Sequence, residues 1–273
     1  RWVGNLVRTF SFGGGVQSTA VLALQALGEL PDPYEAFLFS NVGDDSEDPL
    51  TIEYFNKYHI PFAEEHGINL IELRKQRRGG EPETLWEQLH RTEVKSIQIP
   101  SRRKNGAPGG RKCTRDYKIR VIRKWQRKNG SSKDNPAYTG LGISVDEIQR
   151  ARTASGFDDQ ILEYPLIDLG MSRDDCFEVI ERAGLPRPPR SACFFCPFHN
   201  IASWRELKIG RPELFEKAAQ LEDVLLERNR KNGKEPEWLS RYAKPLREAF
   251  VEDIDPPDAP DGPESCDSGS CWT

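Results

Sequence analysis

A chain of 273 residues, 37% hydrophobic and 30% charged, can bury one α/β core with appendages, or two small domains, and is polar enough to be soluble. No apolar run approaches the roughly 18 residues of a membrane span, and no signal-peptide pattern precedes the first apolar segment. A cytoplasmic protein with no membrane partner is therefore expected, although a chain starting at Arg1 can have been trimmed.

In chain order, periodicity and turn residues predict a strand at 5–12, a helix at 16–28, a strand at 36–41, a helix at 49–65, a strand at 68–73 and a helix at 83–92. There follow a helix at 114–128, a strand at 137–141, a short helix at 145–152, a strand at 161–167 and a helix at 173–183. This alternation predicts an α/β fold over 1–184, a parallel twisted sheet with helices on both faces. From 185 the composition turns to proline-rich turns, a cysteine pair and helices at 202–208, 212–231 and 237–251. Residues 185–252 thus read as a small helical, cysteine-bearing region, and 253–273 as an acidic flexible tail.

The first strand empties into Gly13-Gly14-Gly15 and then a helix that opens with Val16, Gln17, Ser18 and Thr19. Glycines let the backbone approach an anion and turn N–H groups toward it at the positive end of a helix, so the stretch reads as a phosphate cradle for a nucleotide. It is neither a Walker loop, since no Gly-Lys-Ser/Thr follows, nor a dinucleotide loop, whose third glycine is replaced by Ser18. A glycine-rich turn without a ligand is the competing reading. At the carboxyl edge of such a sheet the polar, glycine-bearing loop at 40–49 would deliver a polar rim of the kind adenosine needs, or serve simply as a turn and helix cap.

Charge is unevenly spread. The last 23 residues hold seven acids and no base, leaving the remainder at +3, and residues 102–128 carry twelve Lys or Arg against Asp116 alone. That run is either a solvated helix face with a mobile loop, or a lid or groove gripping phosphates through Arg102, Arg103 and Arg111. Cys193-Phe194-Phe195-Cys196-Pro197-Phe198-His199 offers two thiolates three residues apart, a standard bite for Zn²⁺ or an iron–sulfur cluster. Cys113 and His199 are candidate further ligands, and a buried pair of plain cysteines is the alternative. Cys176 lies on an apolar helix face and reads as core. Cys266 and Cys271 sit on the acidic tail, where no core demands them.

Gly13-Gly14-Gly15-Val16-Gln17-Ser18, with Ser11-Phe12-Gly13 in front, resembles the PP-loop of the adenine nucleotide alpha-hydrolase superfamily, and in particular its phosphoadenosine phosphosulfate reductase-like branch. Gln17 stands where ATP-cleaving members carry Asp. The segment Gly140-Leu141-Gly142 with Asp146 and Glu147 is similar to a second motif of that branch, with Ile143 or Ser144 where an arginine is usual. The resemblance spans most of 5–200 and implies nucleotide contacts from Ser11, Phe12, Gly13, Gly14, Gly15, Gln17, Ser18, Thr19, Asn41, Gly43, Asp48, Gly140, Gly142 and Asp146. It also implies Mg²⁺ on a polyphosphate. Cys113 matches one position of a tandem cysteine that, in assimilatory adenylylsulfate reductases, joins a later Cys-x-x-Cys on a four-iron four-sulfur cluster. Lys112 occupies the other position.

The resulting expectation is an ATP-dependent, adenylating sulfur-transfer enzyme that acts on a nucleobase, nucleoside or nucleic acid through a cysteine-ligated metal site, with a cluster ahead of zinc. Its partners would be tRNA or DNA as acceptor, and a sulfur donor such as a cysteine desulfurase or a reductant protein. One alternative is sulfonucleotide reduction, with Cys266 or Cys271 attacking the sulfate sulfur. Another is a non-catalytic nucleotide- or nucleic-acid-binding module.

Overall fold

The computed structural model describes residues 7–250. Five strands, β1 (Arg8–Phe12), β2 (Ala36–Asn41), β3 (Leu70–Arg74), β4 (Ala137–Leu141) and β5 (Gln160–Glu163), form one sheet in the order β3-β2-β1-β4-β5. Every pairing is parallel, so the α/β architecture expected from the alternation is present. β1 lies at the centre, with Phe10 opposite Phe37 on one side and Gly140 on the other. The chain winds outward to β2 and β3, then returns to lay β4 on the opposite side of β1. The carboxyl ends of β1 and β4 therefore flank the point where strand order reverses, the place where open α/β sheets bind ligands.

Alternation along β1 and β2 sends Phe10, Phe12, Phe37 and Phe39 to one face. There they pack against α1 (Val16–Ala26), Phe55 and α7 (Arg173–Arg182), which contributes Cys176, Val179 and Ile180. Full burial of each such side chain is worth roughly 1.5–3 kcal/mol. On the other face Ala36 and Leu38 meet Ile122 and Trp125 of α5 (Arg120–Lys128). Helices therefore cover both faces.

Two of the expected helices contain a wider turn. α2 (Pro49–Tyr54) joins α3 (Ile60–Glu65) through π-helical residues Phe55–His59, where Ile60 N–H reaches back five residues to the Phe55 carbonyl. Pro61 follows and has no N–H to continue the tighter ladder. The same device at Thr114–Ile119 precedes α5. α4 (Leu85–His90) is closed by a capping box between Thr84 and Glu87.

Two expectations are corrected. The strand expected at 161–167 ends at Glu163, because Pro165 starts the short helix α6 (Pro165–Asp168), where its missing N–H costs nothing. The helix expected at 237–251 shrinks within the described residues to α10 (Leu246–Ala249). Trp238 is instead held extended, exchanging backbone hydrogen bonds with Arg102, and Pro245 sits at the helix boundary. Between them α8 (Ile201–Gly210) and α9 (Pro212–Lys231) form with Val42, Leu85, Leu89, Phe194 and Phe195 a second hydrophobic cluster. No helix among the described residues is long and apolar enough to cross a membrane.

Candidate nucleotide cradle and cysteine cavity

β1 delivers Gly13, Gly14 and Gly15 to the carboxyl edge. Gly14 adopts φ +76°, a left-handed conformation that a side chain strains. No side chain caps Gly15 at the start of α1, so first-turn N–H groups are left to solvent or an anion. Gly142, at the end of β4, closes the far side: a Cβ there would lie 3.2 Å from Ser18 N. The glycines thus form a tight turn from strand into helix, with no side chain of their own over the backbone at Gly13 and Gly14.

Within it the side chains divide. Ser11 lies in β1 between Leu38 and Leu141, and the Phe12 ring is buried in the core, so only its backbone faces the loop. The Ser18 and Thr19 hydroxyls both bond back to the Gly15 carbonyl at 2.9 Å. Thr19 is fully buried and meets His59 Nε2 at 2.9 Å, which places its side chain in the core rather than at a phosphate. Burial pushes His59 down to about 3, so the ring is neutral at neutral pH.

Gln17 is held from both ends. Its amide donates to Glu147 at 3.3 Å, and its carbonyl accepts from the Arg173 guanidinium at 3.3 Å. Glu147 also binds Arg150, and the Arg173 backbone N–H donates to Asp146. Two arginines thus gather beside the cradle, although Ile143 and Ser144 fill the position where the resemblance expects one. Arg173 leaves little trace in sequence because it reads as an ordinary first residue of a capped helix.

The expected adenosine rim is tied up in packing. The Asn41 amide donates to Asp44 at 2.7 Å and Glu72 at 2.8 Å, and its oxygen accepts from Gly43 N–H. Gly43 turns at φ +130°, where a Cβ would fall 2.6 Å from that of Thr84. Asp48 caps α2 through Leu50 N–H and forms a bidentate pair with Arg211. A Cβ on Gly140 would lie 2.3 Å from the Tyr34 hydroxyl and 2.7 Å from Phe10, so this glycine is there for close packing. These residues shape the rim, and their side-chain groups are already engaged within the protein.

Cys113, Cys193 and Cys196 line one cavity of about 40 Å³, with Arg111, Thr114, Lys118, Val42, Leu85 and Phe198 among its walls. Cys113 arrives at the head of the 114–128 helical segment, and Cys193 and Cys196 from the turn after a backbone bridge between Cys193 and Glu47. Glu47 is buried, and desolvation raises its carboxyl above the usual range against the pull of Lys118. Arg111 lies over the Phe198 ring, 4.3 Å from its centroid. Arg102 is 4% exposed, donates to the Pro197 carbonyl at 3.1 Å and stacks on Phe198, so it holds the cysteine turn rather than a phosphate; Arg103 is exposed.

The donor chemistry suits a metal or cluster: three sulfurs on one cavity beside two cations. As placed, no group of three His, Cys, Asp or Glu side chains among the described residues is drawn to ligand geometry. His199 does not line the cavity. Its Nε2 meets the Cys193 carbonyl at 3.0 Å, its ring packs on Trp204, and burial pushes it down to about 4, so it braces the turn. Cys176 is core, with burial raising its thiol to about 12. Cys266 and Cys271 lie outside the described residues.

Cradle and cavity adjoin. Ser191 donates its hydroxyl to the Gly13 carbonyl, and a Cβ on Gly14 would lie 3.8 Å from the same oxygen. Ala192, next along, lines the cavity and accepts from Asp48 N–H, and Cys193 follows. One residue, Ala192, separates the Gly13 contact at Ser191 from the first cavity cysteine, a reach of about 7 Å. No family model, curated protein or solved structure matches the chain.

Proposed function

We propose that the protein is a PP-loop enzyme that adenylates an acceptor with ATP and then transfers sulfur to it, the acceptor being a nucleobase, free or in nucleic acid. The observation that carries this reading is the link from Gly13 through Ser191 and Ala192 to Cys193, which puts the glycine loop beside a three-cysteine cavity.

In this reading the acceptor's carbonyl oxygen attacks the α-phosphorus and pyrophosphate leaves into the cradle. The backbone N–H groups after Gly14, together with Arg173, stabilise its charge. Sulfide then attacks the activated carbon, AMP departs with the oxygen, and the sulfur remains. Cys113, Cys193 and Cys196 would hold a four-iron four-sulfur cluster, which when bound would supply Lewis-acid chemistry for holding sulfide. Arg111 and Lys118 place positive charge on the cavity wall, and Val42, Leu85 and Phe198 give it an apolar lining that keeps water from the activated acceptor.

One observation favours a second reading. Gln17 offers an amide in place of a carboxylate for Mg²⁺, and an arginine lies against it. That suits a sulfonucleotide whose sulfate sulfur is attacked by Cys266 or Cys271, the nucleotide leaving and a second thiol later releasing sulfite. Pyrophosphate release from ATP, measured with and without sulfide and candidate bases, tests the first reading. Sulfite release from adenylylsulfate without pyrophosphate would replace it with the second.

A further inference from the structure

We infer that the solvent face of α5 is a docking surface for the sugar–phosphate backbone of a nucleic acid. This deepens the proposed function, since it rests on that reading for what the bound strand is for: presenting an acceptor base.

Arg120, Arg123, Lys124, Arg127 and Lys128 alone line one open surface groove on this helix. Two acids lie against them: Asp116 pairs with Arg120, and Asp159 with both Arg123 and Arg127. Among the described residues Lys124 donates to the neutral Gln76 amide oxygen, at 3.2 Å, and forms no ion pair. Arg120, Lys124 and Lys128 recur every four residues, about 6 Å of rise per step, so they form a stripe along one side of the helix.

The stripe is rigidly mounted. Ile122 is buried against the sheet, and the Gln126 amide donates to Thr9 and Thr139 at 2.9 and 2.7 Å. Broad grooves flank it on both sides, one lined by Arg74, Lys75 and Trp125 with the acids Glu72 and Asp116, the other by Lys133 and Phe157 with Asp158 and Asp159.

Charge and relief select the occupant. A membrane-surface helix needs large apolar side chains beside its cations. The exposed ones among the described residues, Leu27, Leu50, Ile148, Ile161, Leu169 and Ile209, all lie off this helix. A stripe of cations on a helix that exposes no large apolar side chain suits a regular polyanion. The residues just before α5 in the same helical segment, Thr114 and Lys118, line the cysteine cavity, so a strand laid along the stripe leads toward it.

The test is fluorescence anisotropy with a labelled oligonucleotide, duplex and single-stranded, titrated from 50 to 300 mM salt. Wild type should bind, with log K falling linearly in log salt. Arg120→Gln, Lys124→Gln and Lys128→Gln combined should weaken binding about tenfold or more at low salt and reduce the slope by roughly 2–3. The charge-conserving combination of Arg120→Lys, Lys124→Arg and Lys128→Arg should bind like wild type, which separates charge from folding. Equal affinity and slope in wild type and the glutamine variant overturn the inference. So does a wild type that binds phosphatidylserine vesicles and not oligonucleotide. ATP affinity, measured by calorimetry on the same samples, should be unchanged by the substitutions. Wild type that binds ATP and releases pyrophosphate but binds no oligonucleotide defeats the docking surface alone. Oligonucleotide binding without pyrophosphate release defeats the proposed reaction alone.

Discussion

The Ser191 hydroxyl is bonded to the Gly13 carbonyl across 178 positions of sequence. The contact fixes the glycine loop from outside the sheet, at a residue that continues directly into the cavity wall. Ser191→Ala should lower nucleotide affinity about fivefold, the order of one net hydrogen bond, and leave the unfolding temperature nearly unchanged because Gly13 is exposed and water can replace the donor. Calorimetric titration with ATP beside a thermal melt checks both; an unchanged affinity would detach the loop from Ser191.

Two glycines of the nucleotide set should respond oppositely. Gly14→Ala makes ordinary van der Waals contact with its neighbours, 3.6 Å or more away, but forces a side chain to φ +76° in the glycine loop itself. It should cost about 1–2 kcal/mol and most of the nucleotide binding. Gly140→Ala drives a methyl into Tyr34 and Phe10, and should destabilise by roughly 1–3 kcal/mol while the remaining folded protein still binds. Denaturant melts and calorimetry on both variants separate the roles.

Cys113→Ser, Cys193→Ser and Cys196→Ser should each reduce iron or zinc carried through anaerobic purification, and Cys176→Ser should not, because its thiol lies in the sheet core. Iron, sulfide and zinc analysis reads the result. Equal metal in all four variants would remove the ligand assignment.

His59 carries a pH signature. Burial holds its folded pKa near 3 against 6.5 for the ordinary side chain, so the folded state binds fewer protons than the unfolded one between those values. Its contribution is fully present above pH 6.5 and is lost progressively as pH falls toward 3. Between pH 7 and pH 5 the loss is about 2 kcal/mol. His59→Gln, which can still bond Thr19, should be less stable at pH 7 and lose about 2 kcal/mol less over that interval in urea melts.

Short-range signals made much of this fold legible. The β4 bounds, the helix at 212–231 and the glycine cradle follow from apolar period, Pro–Gly punctuation and the strand-to-helix switch, all properties of neighbouring residues. Asn41, Asp48, Gly140 and Arg102 stand out in sequence by residue type and position, and in each case a tertiary partner claims the same chemistry: Glu72 and Asp44, Arg211, Tyr34, and the Pro197 carbonyl with Phe198. A polar side chain near a site looks the same in sequence whether it faces a ligand or a neighbour. Ser191 and Arg173 carry no such local signal: both lie in ordinary sequence, and their contacts to Gly13 and Gln17 span more than 150 residues.

The central place of β1 has a cost during synthesis. Its partner on one side, β2, emerges within a few dozen residues, but β4 begins only at Ala137. Until then Arg8, Thr9, Phe10 and Ser11 present a row of open N–H and carbonyl groups along an apolar edge. A nascent or truncated chain that stops before residue 137 is thus a template for pairing with a second copy of itself, and a cleaved or prematurely ended product should aggregate rather than persist as a smaller nucleotide-binding unit.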